Sequence, residues 1–297
     1  MNKNSSLIKK SPYFGGMAFM AMIALYVLIS YIGQAICMAI FPDGGAVYIA
    51  ICSTFSVLAM LLVTCFFALK TNLSPNEITG LKKFNPIYLL FAMMLSLGMF
   101  FGLGFVNSAF IELLSKFGVT VGSAQIPLDN LGQYVGFSII LALLPALLEE
   151  IFFRGLILGS LKKVKTVYAV IAVSLCFALY HSSATQLIYQ FIYGVGFCLL
   201  YLASDSVIPC VMAHFINNFA ILTIEYTGAI FDLANPWLIV CGILVLVAFF
   251  FFTVRSVCNK NNSKEKTDSV KSFYFPFGIC GLLICAVLII GGLFLGA

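Results

Sequence analysis

Apolar runs of about 20 residues, the length that crosses a bilayer, recur along the chain at residues 14–41, 47–69, 86–111, 132–153, 166–183, 185–203, 207–226, 235–254 and 273–296. They predict nine transmembrane helices and an all-α polytopic helical bundle. The breaks carry turn chemistry or charge: FPDGG at 41–45, KTNLSPNE at 70–77, IPLDN at 126–130 and the polar stretch VRSVCNKNNSKEKTDSVKS at 254–272. The runs at 166–183 and 185–203 are short and nearly touch.

Composition sharpens this. Hydrophobic residues make up 62% and charged residues 9%, against roughly a quarter charged in soluble domains. The first run follows Lys3, Lys9 and Lys10, exceeds a signal-peptide core and has no small-residue cleavage site behind it, so it reads as an uncleaved span. A net charge of +5 would suggest nucleic acid in a soluble chain. Here the basic residues instead cluster between spans: Lys70, Lys82 and Lys83; Arg154, Lys162, Lys163 and Lys165; Arg255, Lys260, Lys264, Lys266 and Lys271. The alternate junctions carry Asp43, Asp129 and Asp232. By the positive-inside rule the N-terminus is cytosolic and the C-terminus outside, in a multi-pass protein of the cell membrane with no nucleic-acid partner. The ten cysteines form no CxxC pair, and the nine other than Cys258 lie within or beside apolar runs, where they are expected as small apolar filler. Gly98 with Gly102, and Gly132 with Gly136, have a spacing suited to close helix contact.

Charge inside an apolar run is the main chemical signal. LLPALLEEIFFRG, residues 143–155, places Glu149, Glu150 and Arg154 in a span, where each costs several kcal/mol unless paired or hydrated. At 100° per residue, Arg154 lies about 40° from Glu150 and about 140° from Glu149. Glu150 and Arg154 therefore form an i,i+4 ion pair, and Glu149 has no countercharge in its own helix. Such an acid suits general acid–base work; a buried packing network is the competing reading. The only two histidines, His181 and His214, also fall in apolar segments. His214 and Asn218 share a helix face at i,i+4, with Asn217 at i+3 as a competitor. Measured at ~1.5 Å per residue from the lysine-bearing helix ends, the four groups meet in one pocket nearer the cytosolic side. Ser182 and Ser183 beside His181 are disfavoured as nucleophiles because sequence neighbours on a helix point apart.

The motifs EEIFFR (149–154), FALYH (177–181) and HFINN (214–218) resemble, in order and unbroken, the EExxxR, FxxxH and HxxxN motifs of the CPBP family. These are CAAX proteases and bacteriocin-processing enzymes, also called Abi proteins, and include the type II CAAX prenyl endopeptidases. The resemblance covers residues 131–226 as a catalytic core, between N-terminal helices (1–130) and C-terminal helices with a cytosolic polar loop (227–297). It implies an intramembrane endopeptidase that cuts a peptide or membrane-anchored protein, in peptide maturation or bacteriocin processing or immunity. Glu149 and His181 would activate a water, His214 and Asn218 would stabilise the oxyanion, and Glu150 and Arg154 would support the site. Zinc held by Glu149, His181 and His214 is an alternative, since family members are often named metalloproteases. The absence of an HExxH helix favours a mechanism without a cofactor. A non-cutting scaffold of the same fold and a proton-coupled transporter are the competing functions.

Overall fold

A computed structural model describes residues 11–71, 73–118, 126–229, 235–261 and 267–295. Lys3, Lys9, Lys10, Asp232, Lys264 and Lys266, all used above for orientation, lie outside the described residues. The described chain is helical with no strand, one isolated bridge between Val164 and Asp268 apart.

Among the described residues eight helices are long and apolar enough to cross a membrane: α1 (Pro12–Ile40), α2 (Ala46–Leu69), α4 (Ile87–Lys116), α5 (Leu131–Leu158), α7 (Leu187–Ser204), α8 (Ile208–Thr227), α9 (Pro236–Lys260) and α10 (Lys271–Gly292). Between them lie the short α3 (Pro75–Thr79) and α6 (Thr166–Tyr180). The sequence predicted a spanning run over 166–183, but α6 has only 15 residues. That is about 22 Å, short of a bilayer core of about 30 Å. It stops because Ser182 adopts a left-handed backbone with φ of 50°, which a continuing helix cannot contain.

The junctions after α2, α5, α7 and α9 gather at one end of the bundle. Lys82 pairs with Asp205 at 3.0 Å, Lys260 donates to the Ala203 carbonyl, and the Asp268 N–H donates to the Lys163 carbonyl at 3.1 Å. This end is called the lysine end below. The described basic junctions after α2, α5, α7 and α9 thus lie together.

Close helix approach follows one of the two small-residue spacings. A Cβ at Gly98 would meet Leu246 at 2.9 Å, and one at Gly102 would meet Gly242 at 2.7 Å, so α4 and α9 touch backbone to backbone. The other spacing does not work this way: Gly136 has nothing within 4 Å and Gly132 meets only the Asn130 side chain. Of the cysteines, Cys37, Cys176, Cys198, Cys210 and Cys285 are buried, whereas Cys65, Cys241, Cys258 and Cys280 are exposed, so only part of the set fills the interior.

Helix α5 occupies the centre of the bundle, with contacts to α1, α2, α3, α6, α7 and α8. Its close approach to α3 depends on Gly155, where a Cβ would lie 2.4 Å from the Thr79 carbonyl oxygen. The core beside it is largely aromatic: Phe152, Phe153, Phe177 and Phe197 are fully buried.

Candidate active site

The candidate site is built on an irregular stretch of α5. Two π-helical segments, Ser138–Leu143 and Ile151–Leu158, bracket the α-helical Leu144–Glu150. Such widened turns often accompany functional sites. Pro145 lacks the N–H that would reach the Leu141 carbonyl four residues earlier. That carbonyl instead accepts from Nδ2 of Asn218 on α8 at 3.3 Å. A proline visible in the sequence thus supplies the acceptor that orients Asn218.

Glu150 and Arg154 form the expected i,i+4 pair, Nη1 to Oε1 at 3.0 Å, with both side chains at 0% exposure. Three more interactions hold the guanidinium. It donates from Nη2 to the Gly194 carbonyl at 3.3 Å and lies 4.4 Å from the Phe177 ring centre and 4.9 Å from that of Phe197, in cation–π range. The sequence did not reveal that Glu150 Oε1 also accepts from His214 Nδ1 at 3.0 Å. Arg154, Glu150 and His214 are therefore one buried chain of charge and hydrogen bonds.

Glu149 stands apart from that chain, as the helical wheel required. It is 5% exposed, and its Oε2 has no hydrogen-bond partner. The nearest basic group is His181 Nε2, 3.9 Å away, too far for a direct hydrogen bond. His181 follows the last residue of α6, where helix ends leave carbonyls free, and its Nδ1 bonds the Phe177 carbonyl at 2.7 Å. A carbonyl only accepts, so Nδ1 carries the proton and Nε2 of the neutral ring presents its lone pair. Two acceptors then face one another across 3.9 Å. A bridging water, able to donate to both, satisfies that arrangement. Tyr180 is a further neighbour of Glu149, and nothing in the motif pattern had marked it.

Asn217 is a partner of Asn218. Its Nδ2 donates to Asn218 Oδ1 at 3.3 Å, and its own Oδ1 accepts from Tyr189 at 3.4 Å. With Oδ1 and one Nδ2 hydrogen of Asn218 engaged, its second amide hydrogen is available to a ligand. Ser182 and Ser183 bond within their own turn, to the Tyr180 carbonyl at 3.3 Å and Thr185 at 3.0 Å.

Glu149, His181, His214 and Asn218 all line one hollow of about 620 Å³. They come from three elements distant in sequence: α5, the end of α6, and α8. Among the described residues there is no group of three His, Cys, Asp or Glu side chains that could hold a metal ion. The hollow runs from these four residues past Asn107, Ser108 and Ile126, away from the lysine end, because Arg154 and its phenylalanine collar fill the space on that side. In intact cells with a cytosolic N-terminus, Ser108→Cys is expected to react with a membrane-impermeant maleimide added outside, above the labelling of the unsubstituted chain. Lys162→Cys should react only after permeabilisation. The reverse pattern would show the opening facing the cytosol.

Residues 131–220 match a family described as Type II CAAX prenyl endopeptidase Rce1-like. The match spans under a third of the chain, and over that segment the chain is similar to the CAAX proteases. The eight apolar helices among the described residues make the chain a multi-pass membrane protein. No curated protein and no solved structure matches it.

Proposed function

We propose that the chain is an endopeptidase that hydrolyses a peptide or membrane-anchored protein within the bilayer, using a water activated by Glu149 and His181. The supporting observation is the pair of acceptor atoms, Glu149 Oε2 and His181 Nε2, 3.9 Å apart at the floor of a hollow also lined by His214 and Asn218. The water oxygen attacks the peptide carbonyl carbon and its proton passes to Glu149. The oxyanion accepts from the free Asn218 amide hydrogen and from His214 Nε2. His214 donates to Glu150 through Nδ1, so it must carry both ring protons to serve here, a positive charge that the forming oxyanion offsets. Glu149 then returns the proton to the leaving amine, giving a carboxylic acid and an amine.

Such an activity would serve peptide maturation or bacteriocin processing and immunity. The deciding experiment is comparative peptidomics of membranes holding the intact protein or Glu149→Gln. A fragment present only with the former identifies both reaction and substrate, and identical peptidomes would refute the proposal. Cleavage by purified protein in detergent, where no ion gradient exists, would separate hydrolysis from proton-coupled transport. EDTA and 1,10-phenanthroline are expected to leave that turnover unchanged; inhibition reversed by added zinc would restore the metal reading. Asn218→Ala should lower kcat by about 10²–10³-fold, the worth of one oxyanion donor, with KM nearly constant. A change in KM alone would assign Asn218 to substrate binding instead.

A further inference from the structure

Beyond the catalytic floor, the polar lining of the hollow combines four carboxamides with the hydroxyl-bearing Ser53, Ser56, Ser108, Tyr189 and Tyr193. Asn107 comes from α4, Gln186 and Gln190 from the start of α7, and Asn217 from α8. Among the described residues that line the hollow, no Lys, Arg or Asp occurs, and the only Glu and His are those of the floor. Asn107 Oδ1 is buried and has no hydrogen-bond partner. Gln190 Nε2 contacts Gln186 Oε1 at 3.4 Å, which leaves the remaining arms of both groups open. Phe100, Ile126, Ile221 and Leu222 make up the apolar wall beside them.

A carboxamide carries a donor and an acceptor side by side, as a peptide unit does. In a membrane interior, a helical peptide satisfies its own backbone and needs no such lining, whereas an unwound strand must find outside partners for each N–H and C=O. Most protein grooves meet that demand with a sheet edge, but no strand exists among the described residues. Side-chain amides can take its place. The lack of charge in this lining adds a second constraint, since a charged substrate side chain would be desolvated there without a partner.

We propose that this part of the hollow is the substrate-binding cleft for an unwound, uncharged peptide strand with apolar side chains. Asn107, Gln186 and Gln190 are positioning residues, and a substrate backbone N–H donates to Asn107 Oδ1. The proposal rests on the hydrolytic reading above and names the class of substrate it acts on.

The probe is a library of N-acetylated, C-amidated decapeptides built from uncharged residues, incubated with the purified full-length protein and read by mass spectrometry. One cleaved member is then resynthesised with a single N-methylated amide at each position in turn. One methylation should lower wild-type kcat/KM by about tenfold, the worth of one hydrogen bond in a low-dielectric site. Asn107→Leu should lose a similar factor on the unmodified peptide, through KM rather than kcat, and lose nothing further on the methylated one. Gln190→Glu should gain cleavage of a lysine-substituted peptide that the wild type rejects, a gain that misfolding cannot mimic. Wild-type KM in Asn107→Leu with no gain in Gln190→Glu would overturn the cleft while leaving hydrolysis standing. If the wild type cleaves nothing, the hydrolytic reading fails, and retention of the library on Glu149→Gln protein decides the cleft. Retention lost on adding Asn107→Leu supports it, and unchanged retention overturns it.

Discussion

Glu149→Gln is expected to abolish turnover while leaving the fold intact or slightly more stable. The substitution preserves shape but removes the ionisable oxygen, so no group at that position can take a proton from water. General-base removal alone costs about 10²–10⁴-fold. The loss should reach the top of that range, because the neighbouring carboxylate, Glu150, does not line the hollow and its Oε1 is bound to Arg154 and His214. Stability should move the other way. Glu149 is nearly buried, with an unpartnered Oε2, and such a group destabilises the native state in exchange for function. Measured together, kcat and the detergent melting temperature of the purified variant separate the two readings. Activity lost at an unchanged or raised melting temperature supports catalysis. A parallel fall in both would make Glu149 part of a packing network.

Much of this site was legible because helices impose a fixed angular code. The i,i+4 rule paired Glu150 with Arg154 and isolated Glu149 before any coordinate was known, and the structure has both features. What the code omits is contact between helices distant in sequence. The His214 bond to Glu150 spans 64 residues and follows from packing, which periodicity does not encode. Helix length misled in another way. Residues 166–183 are apolar enough to read as a span, yet the turn at Ser182 ends α6 early, and that ending frees the carbonyl that sets the His181 tautomer. Pro145 was the overlooked signal: a proline inside an apolar helix leaves an acceptor that some side chain must satisfy, here Asn218. The direction of the hollow was not legible, because it depends on which side of the charge chain the phenylalanines fill.

Arg154→Ala should act on the protein's existence more than on its chemistry. Arg154 is 0% exposed and holds Glu150, the Gly194 carbonyl and two aromatic faces at once. Without it Glu150 loses its guanidinium countercharge and keeps only the hydrogen bond from His214. Breaking such a pair from one side costs about 3–5 kcal/mol, a large share of the roughly 5–15 kcal/mol that holds a domain together. Membrane abundance of a tagged variant should therefore fall several-fold, and the melting temperature of what remains should drop. The double variant Glu150→Gln with Arg154→Met removes both charges and keeps the volume. Replacing both partners of a buried pair is often neutral, so abundance should recover. Activity should not, because His214 no longer has a carboxylate to support its second proton. Wild-type abundance in the single variant would mean that Glu150 is stabilised by something other than this guanidinium. Recovered activity in the double variant would mean that His214 works as a neutral ring, and the oxyanion role assigned to it would have to pass to Asn218 alone.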